Sequence, residues 1–273
     1  MIIDAHCHAG KGTGLTGPWD TRADLGAYVR RARAAGIERT VIVPTLTPNY
    51  AAANAGLARI AASMPRRFIC FAGLSPRRDA GRIREIVGHA VNHWGFRGIK
   101  VHRIDGRATR EVCEAAREWR LPVLYDVMDR PYLVELLASE YPDVAFIMPH
   151  LGSFADDWRV HLQVIDQLVR LPNVYADTSG VRRFDYIVQS IRRAGAHKVL
   201  FGSDGPWLHP GVELHKIRLL GLPPADERLV LGGNLLRLIR DSATPAPRAR
   251  RVRAAGILAP SGNELGVRAR RTA

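Results

Sequence analysis

His6 and His8 fall two apart in Ile2-Ile3-Asp4-Ala5-His6-Cys7-His8, a run whose composition reads as a β-strand. Side chains two apart on a strand share a face, so the two imidazoles lie side by side at the strand end. Two neutral imidazoles on one face make half of a transition-metal site. The competing reading is a chance His-x-His pair, and what decides is whether the fold brings a third donor. Cys7 takes the opposite face and reads as core filling.

The third donor is Asp204, at the end of Val199–Asp204 and followed by Gly205-Pro206. Asp before Gly-Pro is also turn chemistry. If the first and last strands of a closed barrel are neighbours, Asp204 lies beside His6 and His8 despite the separation in sequence. Two imidazoles and one carboxylate would hold a divalent metal with positions open for water, and the carboxylate could take the water's proton.

His150, in Met148-Pro149-His150-Leu151-Gly152, reads as an acid/base group or a further ligand, with a satisfied core histidine as the alternative. Asp126 ends the apolar run Val123-Leu124-Tyr125-Asp126, where a carboxylate is costly to bury unless paired or bound to metal. It could ligate, pair with Lys100 or orient His150. Strand parity points Lys100 and His102 inward and Ile99 and Val101 toward the helices. Lys100 could neutralise a substrate carboxylate. Arg103, Arg130, Arg182, Trp19 and Trp207 fall in loops that could hold an anionic or planar substrate, although solvation explains any single arginine equally well. The glycine-rich stretch from Ala9 to Gly17 lacks the spacing of a phosphate-binding loop around Lys11 and reads as a lid. His89, His93 and His197 read as surface or packing residues.

The elements that must position these groups alternate regularly. Strand-like runs span Ile2–His8, Thr40–Pro44, Phe68–Leu74, Gly98–His102, Pro122–Val127, Val144–His150, Val174–Ser179 and Val199–Asp204. Amphipathic helical segments lie between them, among them Asp24–Ala35, Arg82–Trp94, Thr109–Trp119, Pro131–Glu140, Trp158–Val169 and Phe184–Ala194, and a last helix over Ala225–Ile239 closes the series. Eight such units predict an α/β fold, a (β/α)₈ TIM barrel over residues 1–240, whose chemistry belongs at the C-terminal strand ends. Residues 241–273 read as a flexible, arginine-rich tail.

Composition narrows the classes. The 273 residues are 47% hydrophobic, and none of the apolar runs approaches the ~20 residues that span a bilayer. With neither a membrane segment nor a signal peptide in view, the expected location is the cytoplasm. Three cysteines without close spacing indicate neither a disulfide framework nor a zinc ribbon. Of the net charge of +14, the segment from Ser242 contributes seven arginines and one glutamate, +6, leaving +8 for the rest. The tail has no aromatic residues to interleave with its arginines, which argues against nucleic acid as a partner.

Five stretches taken in order resemble the amidohydrolase-related (amidohydrolase 2) family of the metal-dependent hydrolases. They are Ile3-Asp4-Ala5-His6-Cys7-His8, Gly95-Phe96-Arg97-Gly98-Ile99-Lys100-Val101-His102, Pro149-His150-Leu151-Gly152, Phe201-Gly202-Ser203-Asp204-Gly205-Pro206-Trp207 and Gly232-Gly233-Asn234-Leu235-Leu236-Arg237-Leu238. The resemblance implies a distorted TIM barrel with one metal, usually zinc and sometimes manganese, on the residues matching His6, His8 and Asp204. It also implies that His150 polarises substrate or moves protons. Where the family usually has a ligand histidine at the end of strand five, this chain has Asp126. A more anionic site of that kind favours manganese or iron somewhat over zinc.

The expectation is therefore a hydrolase in which one divalent metal, first Zn²⁺ with Mn²⁺ or Fe²⁺ as alternatives, is held by His6, His8, Asp204 and Asp126. Asp204 and His150 are its catalytic groups, and Lys100, His102, Arg103, Arg130, Trp207 and Trp19 its substrate contacts. The substrate is a small lactone, amide or related carbonyl compound, one that can carry a carboxylate, and the short region between strands one and two tilts the reading toward hydrolysis. The alternatives are a non-oxidative decarboxylase of an aromatic or unsaturated acid, and a barrel that binds without catalysis. A homo-oligomer is compatible with all three.

Overall fold

The computed structural model describes residues 1–12, 22–240 and 242. Among the described residues nine strands form one sheet: β1 (Ile3–Lys11), β2 (Arg22–Ala23), β3 (Arg39–Pro44), β4 (Phe68–Leu74), β5 (Gly98–His102), β6 (Val123–Asp126), β7 (Phe146–Met148), β8 (Val174–Asp177) and β9 (Val199–Leu200). β2 is a short antiparallel partner to the end of β1, and the other eight are parallel in sequence order. Outside them run α1 (Leu25–Ala34), α2 (Tyr50–Ser63), α3 (Ile83–Trp94), α4 (Arg110–Glu118), α5 (Tyr132–Glu140), α6 (Trp158–Arg170), α7 (Phe184–Ala194), α8 (Pro210–Arg218), α9 (Pro224–Arg228) and α10 (Asn234–Leu238).

The eight parallel strands with their helices are the expected (β/α)₈ architecture. Closure runs through the segment that follows β9. Ala5 N donates to Phe201 O at 2.9 Å, Asp204 N to His6 O at 2.8 Å and His8 N to Gly205 O at 2.6 Å. Three backbone hydrogen bonds therefore tie the last unit to the first, on the stretch that carries the histidines.

Two apolar layers hold the barrel. Inside it Ile3, Val41, Ile69, Phe71, Leu124 and Leu200 are buried with Leu235 and Ile239, which belong to the C-terminal segment. The larger layer between sheet and helices contains Ile99 and Val101, as parity requires for strand β5. Burying each such aliphatic side chain stabilises the fold by about 1.5–3 kcal/mol. Local signals fix the helix starts: Asp24 accepts from Ala27 N at 3.1 Å and Asn49 from Ala52 N at 3.0 Å.

Four expectations change. The sixth and eighth runs end early: β7 stops at Met148, leaving His150 in a turn, and β9 stops at Leu200, because the backbone of 201–205 turns to pair with β1. The single helix over Ala225–Ile239 is instead α9 and α10 separated by a wide turn at Leu229–Gly233. Gly232 lies against β1 there, and a Cβ on it would sit 3.0 Å from Ile3 Cγ1. The stretch expected as a lid begins as strand through Lys11, and its remainder from Thr13 to Gly17 lies outside the described residues, as does Trp19. Among the described residues no helix is long and apolar enough to cross a membrane.

Candidate metal and active site

His6 faces inward because β1 carries a bulge. Asp4 pairs with Thr40 and Cys7 with Ile42, so β1 advances three residues while β3 advances two. The extra residue resets the alternation. Ile3 and Ala5 join the interior layer, Cys7 and Ala9 the outer one, and both His6 and His8 turn toward the barrel mouth. Asp4 points the other way, where it accepts Tyr28 O–H at 2.6 Å, His6 N–H at 3.1 Å, Ser203 N–H at 2.9 Å and the Ser203 hydroxyl.

Each imidazole is held from behind by Nδ1. His8 Nδ1 lies 3.3 Å from Pro44 O. His6 Nδ1 lies 3.3 Å from Ser179 Oγ and 3.1 Å from Asp177 Oδ2, the latter close but off the line of an ideal hydrogen bond. Ser179 Oγ itself donates to Asp177 Oδ1 at 2.5 Å, so it is free to accept from His6. The two Nε2 atoms are thereby turned to Asp204, 3.8 Å (His6) and 3.3 Å (His8) from its Oδ1.

These three atoms fit a divalent ion. Donors about 2.1 Å from a metal stand about 3.0–3.4 Å apart at tetrahedral or octahedral angles, close to the separations found. All three residues are buried, their donor atoms lie within 4.8 Å of one another, and the outward hydrogen bonds on Nδ1 are the arrangement that orients ligand histidines. Burial, with Lys100 nearby, brings His6 down to about 4 against the pull of Asp177 and Asp204, which leaves it a neutral donor at ordinary pH. A second group, His6, His150 and Asp177, is equally compact. There, however, His150 Nδ1 donates to Ser179 O at 2.8 Å, and its backbone N–H is given to Asp177 Oδ1 at 3.1 Å. That group reads as the scaffold behind the site.

Two further carboxylates and one lysine share the region. Burial pushes Asp204 and Asp177 upward, but the histidines against them hold both below the usual carboxylate range. Lys100 Nζ donates to His6 Nε2 at 3.3 Å and is drawn below the ordinary lysine range by burial, despite Asp126, Asp204 and Asp177. It would compete with a cation for that lone pair. Asp126 Oδ2 lies 3.2 Å from His102 Nε2 and 3.9 Å from His150 Nε2, and it belongs to neither compact ligand group.

A cavity of about 310 Å³ opens over His8 and Asp204, with His6 fully buried beside them. His8, Asp204 and His150 reach it from one group of elements and His102 and Asp126 from another, while Leu46, Met128, Phe154 and Trp207 supply apolar walls. Trp207 packs on His8 with ring centroids 4.6 Å apart, and Phe154 meets His150 edge-on at 5.0 Å. Of the substrate contacts expected from sequence, His102 and Trp207 line the cavity. Lys100 lies beneath it against His6, and Arg103 and Arg130 are not among its lining side chains. Asp177 and Ser179 were not singled out by the sequence. The signal was present, since Asp177 is a carboxylate at the C-terminal end of an apolar strand, the criterion that marked Asp126.

Residues 3–240 match the family model for amidohydrolases. No curated protein matches the chain. Among solved structures, a 2,6-dihydroxybenzoate decarboxylase bound to 2,6-dihydroxybenzoate is similar at 18% identity and a TM-score of 0.66, over 88% of this chain and 98% of that one. A 5-carboxyvanillate decarboxylase from Novosphingobium aromaticivorans, complexed with manganese and 4-hydroxy-3-methoxy-5-nitrobenzoic acid, is similar at 14% identity and 0.68, over 88% and 96%. An amidohydrolase from Burkholderia multivorans with bound HEPES reaches 0.73 at 16% identity, over 88% and 99%. At these identities the structures speak to the fold, and the family rests on the match along nearly the whole barrel: the chain belongs to the amidohydrolase family.

Proposed function

We propose that the protein is a divalent-metal-dependent decarboxylase of a planar aromatic or unsaturated acid. The observation that carries this reading is the cavity itself, walled by Leu46, Met128, Phe154 and Trp207 over His8 and Asp204, with His6 grouped beside those two donors. The likeness to two decarboxylases of aromatic acids supports it. Hydrolysis, the first expectation from the sequence, uses the same donor set but has less support from these relatives. Manganese, present with one of them, is the metal to try before zinc.

His6, His8 and Asp204 would hold the metal, and the metal supplies a Lewis acid that anchors the substrate's polar groups. The apolar walls clamp the ring and keep water from the reacting carbon. Loss of CO₂ leaves an electron pair on that carbon, and one proton must replace the carboxyl group. His150 would deliver it: Nδ1–H is committed to Ser179 O, so Nε2 is the atom that would take a proton from solvent, giving the imidazolium, and pass it to the carbon.

The test is incubation of manganese-loaded protein with hydroxybenzoates and related acids, measuring CO₂ and the decarboxylated product. In D₂O one deuterium should enter at the vacated carbon. Turnover of lactones or amides, with no CO₂ from any acid, would replace this reading with hydrolysis.

A further inference from the structure

Besides the metal group and the apolar walls, the cavity carries two carboxylates without a task, Asp129, which is exposed, and Asp126, which is half-buried. Asp126, at the end of β6, lies in register beside His102 at the end of β5. His102 Nδ1 accepts the backbone N–H of Ile104 at 3.2 Å, so in the neutral ring the proton sits on Nε2 and points at Asp126 Oδ2, 3.2 Å away. The other oxygen, Oδ1, accepts the N–H of Met128 at 3.0 Å. Two donors from the protein therefore aim at this carboxylate, one on each oxygen. Burial works against its charge, but His102, Lys100 and His150 hold it well below the usual carboxylate range.

A carboxylate oxygen has two acceptor positions, so one on each oxygen is unused by these contacts. His150 Nε2, at 3.9 Å, is too far to fill either. Asp126 faces a cavity whose remaining walls are largely apolar, and there an acceptor without a donor is expensive. A ligand that fills the slot displaces the solvent that would otherwise satisfy Asp126. It must then bring a donor of its own or leave the charge unpaired. A second carboxylate at that position would bring like charge against like charge.

We propose that Asp126 determines substrate specificity: it accepts a hydrogen bond from a hydroxyl or N–H substituent on the ring of the bound acid and rejects an anionic substituent at the same position. His102 is its positioning residue. The proposal rests on the reading of the site as one that binds an acid over His6, His8 and Asp204, and it gives Asp126 a task other than holding the metal.

Calorimetric titration of the manganese-loaded full-length protein tests it. The ligands are 2-, 3- and 4-hydroxybenzoate, their methoxy counterparts, the corresponding benzenedicarboxylates and benzoate. At one ring position the hydroxy acid should bind about tenfold or more tightly than the methoxy acid and the dicarboxylate. Asp126→Ala should erase that preference, and Asp126→Asn, which keeps the shape, should readmit the dicarboxylate, with manganese stoichiometry by elemental analysis unchanged in both. His102→Phe should shrink the ratio of hydroxybenzoate to methoxybenzoate affinity; a merely structural role for His102 would weaken both acids alike and leave that ratio unchanged. A preference that survives Asp126→Ala, or loss of manganese from Asp126→Asn, overturns the proposal. If the acids bind the wild type with no hydroxyl preference, the acid-binding reading stands and this proposal falls; if none binds at all, both fall.

Discussion

Nδ1 of His6 lies 3.1 Å from Oδ2 of Asp177, and neither side chain has any solvent exposure. The contact, with Ser179 Oγ beside it, decides which nitrogen of His6 faces Asp204. Asp177 is not one of the three cavity donors, yet it orients the most deeply buried of them and, through its bond to the His150 backbone, the candidate proton donor as well.

Asp177→Asn should therefore weaken metal binding without removing any proposed ligand. Loss of such an outer partner costs about 10–100-fold in metal affinity. Titration of the metal-free protein with Mn²⁺, compared between wild type and variant, measures this directly. Equal affinities would mean that His6 needs no help from Asp177.

His150 should separate chemistry from metal binding. Its backbone is left-handed, with φ of 58°, so Asn is the replacement that tolerates the conformation best. His150→Asn should retain metal and bind the acid with little change, while kcat falls by about 10²–10⁴. A kcat within a few-fold of wild type would move the proton-delivery role elsewhere, with Asp204 the remaining cavity-lining candidate.

Much of this architecture was legible because the signals were local or periodic. Alternating runs gave the eight strands, and closure of the barrel brought Asp204 to His6 and His8. What periodicity could not give was the bulge between Asp4 and Cys7. Strict alternation puts Asp4 on the face of His6, whereas the extra residue sends it outward to Tyr28, with Ala5 and His6 both inside. The roles of Ser179 and Asp177 were hidden for a different reason. Neither belongs to a spaced motif, and although the two bond to each other, their roles come from His6 and His150, more than 25 residues away in the chain.

Asp4 should give the fold a pH dependence of definite sign. Burial drives its carboxyl up to about 7, against the hydrogen bonds from Ser203, Tyr28 and His6 that favour the charge. Since the folded-state value is the higher one, the fold prefers the protonated acid. That stabilisation is complete below about 3.8 and is lost as pH rises through about 7. His6, drawn down to about 4, works oppositely between there and 6.5, but it does so in both proteins being compared. The Tm of wild type relative to Asp4→Asn should consequently fall by several degrees between about pH 5 and pH 8. A Tm difference that does not change over this range would show Asp4 already ionised in the fold.

Gly202 tests how little room the site leaves. A Cβ there would lie 3.1 Å from Asp177 Cγ and 3.2 Å from both Asp177 Cβ and His6 Cβ. These are not the free ends of flexible side chains, so the strain of Gly202→Ala falls on the His6–Asp177 pair itself. Overpacking of this kind costs about 1–3 kcal/mol, and here the displaced atoms are a proposed ligand and its support. Gly56→Ala is the matched control. Its place within α2 is open, with only Arg59 Nη2 at 4.0 Å, and removing a glycine from a helix interior stabilises by about 1 kcal/mol. Gly202→Ala should lower both Tm and Mn²⁺ affinity, whereas Gly56→Ala should raise Tm and leave Mn²⁺ affinity alone. If Gly202→Ala lost only thermal stability and bound Mn²⁺ as the wild type does, His6 and Asp177 could part without consequence, and the tight packing behind the donors would be structural rather than part of the metal site.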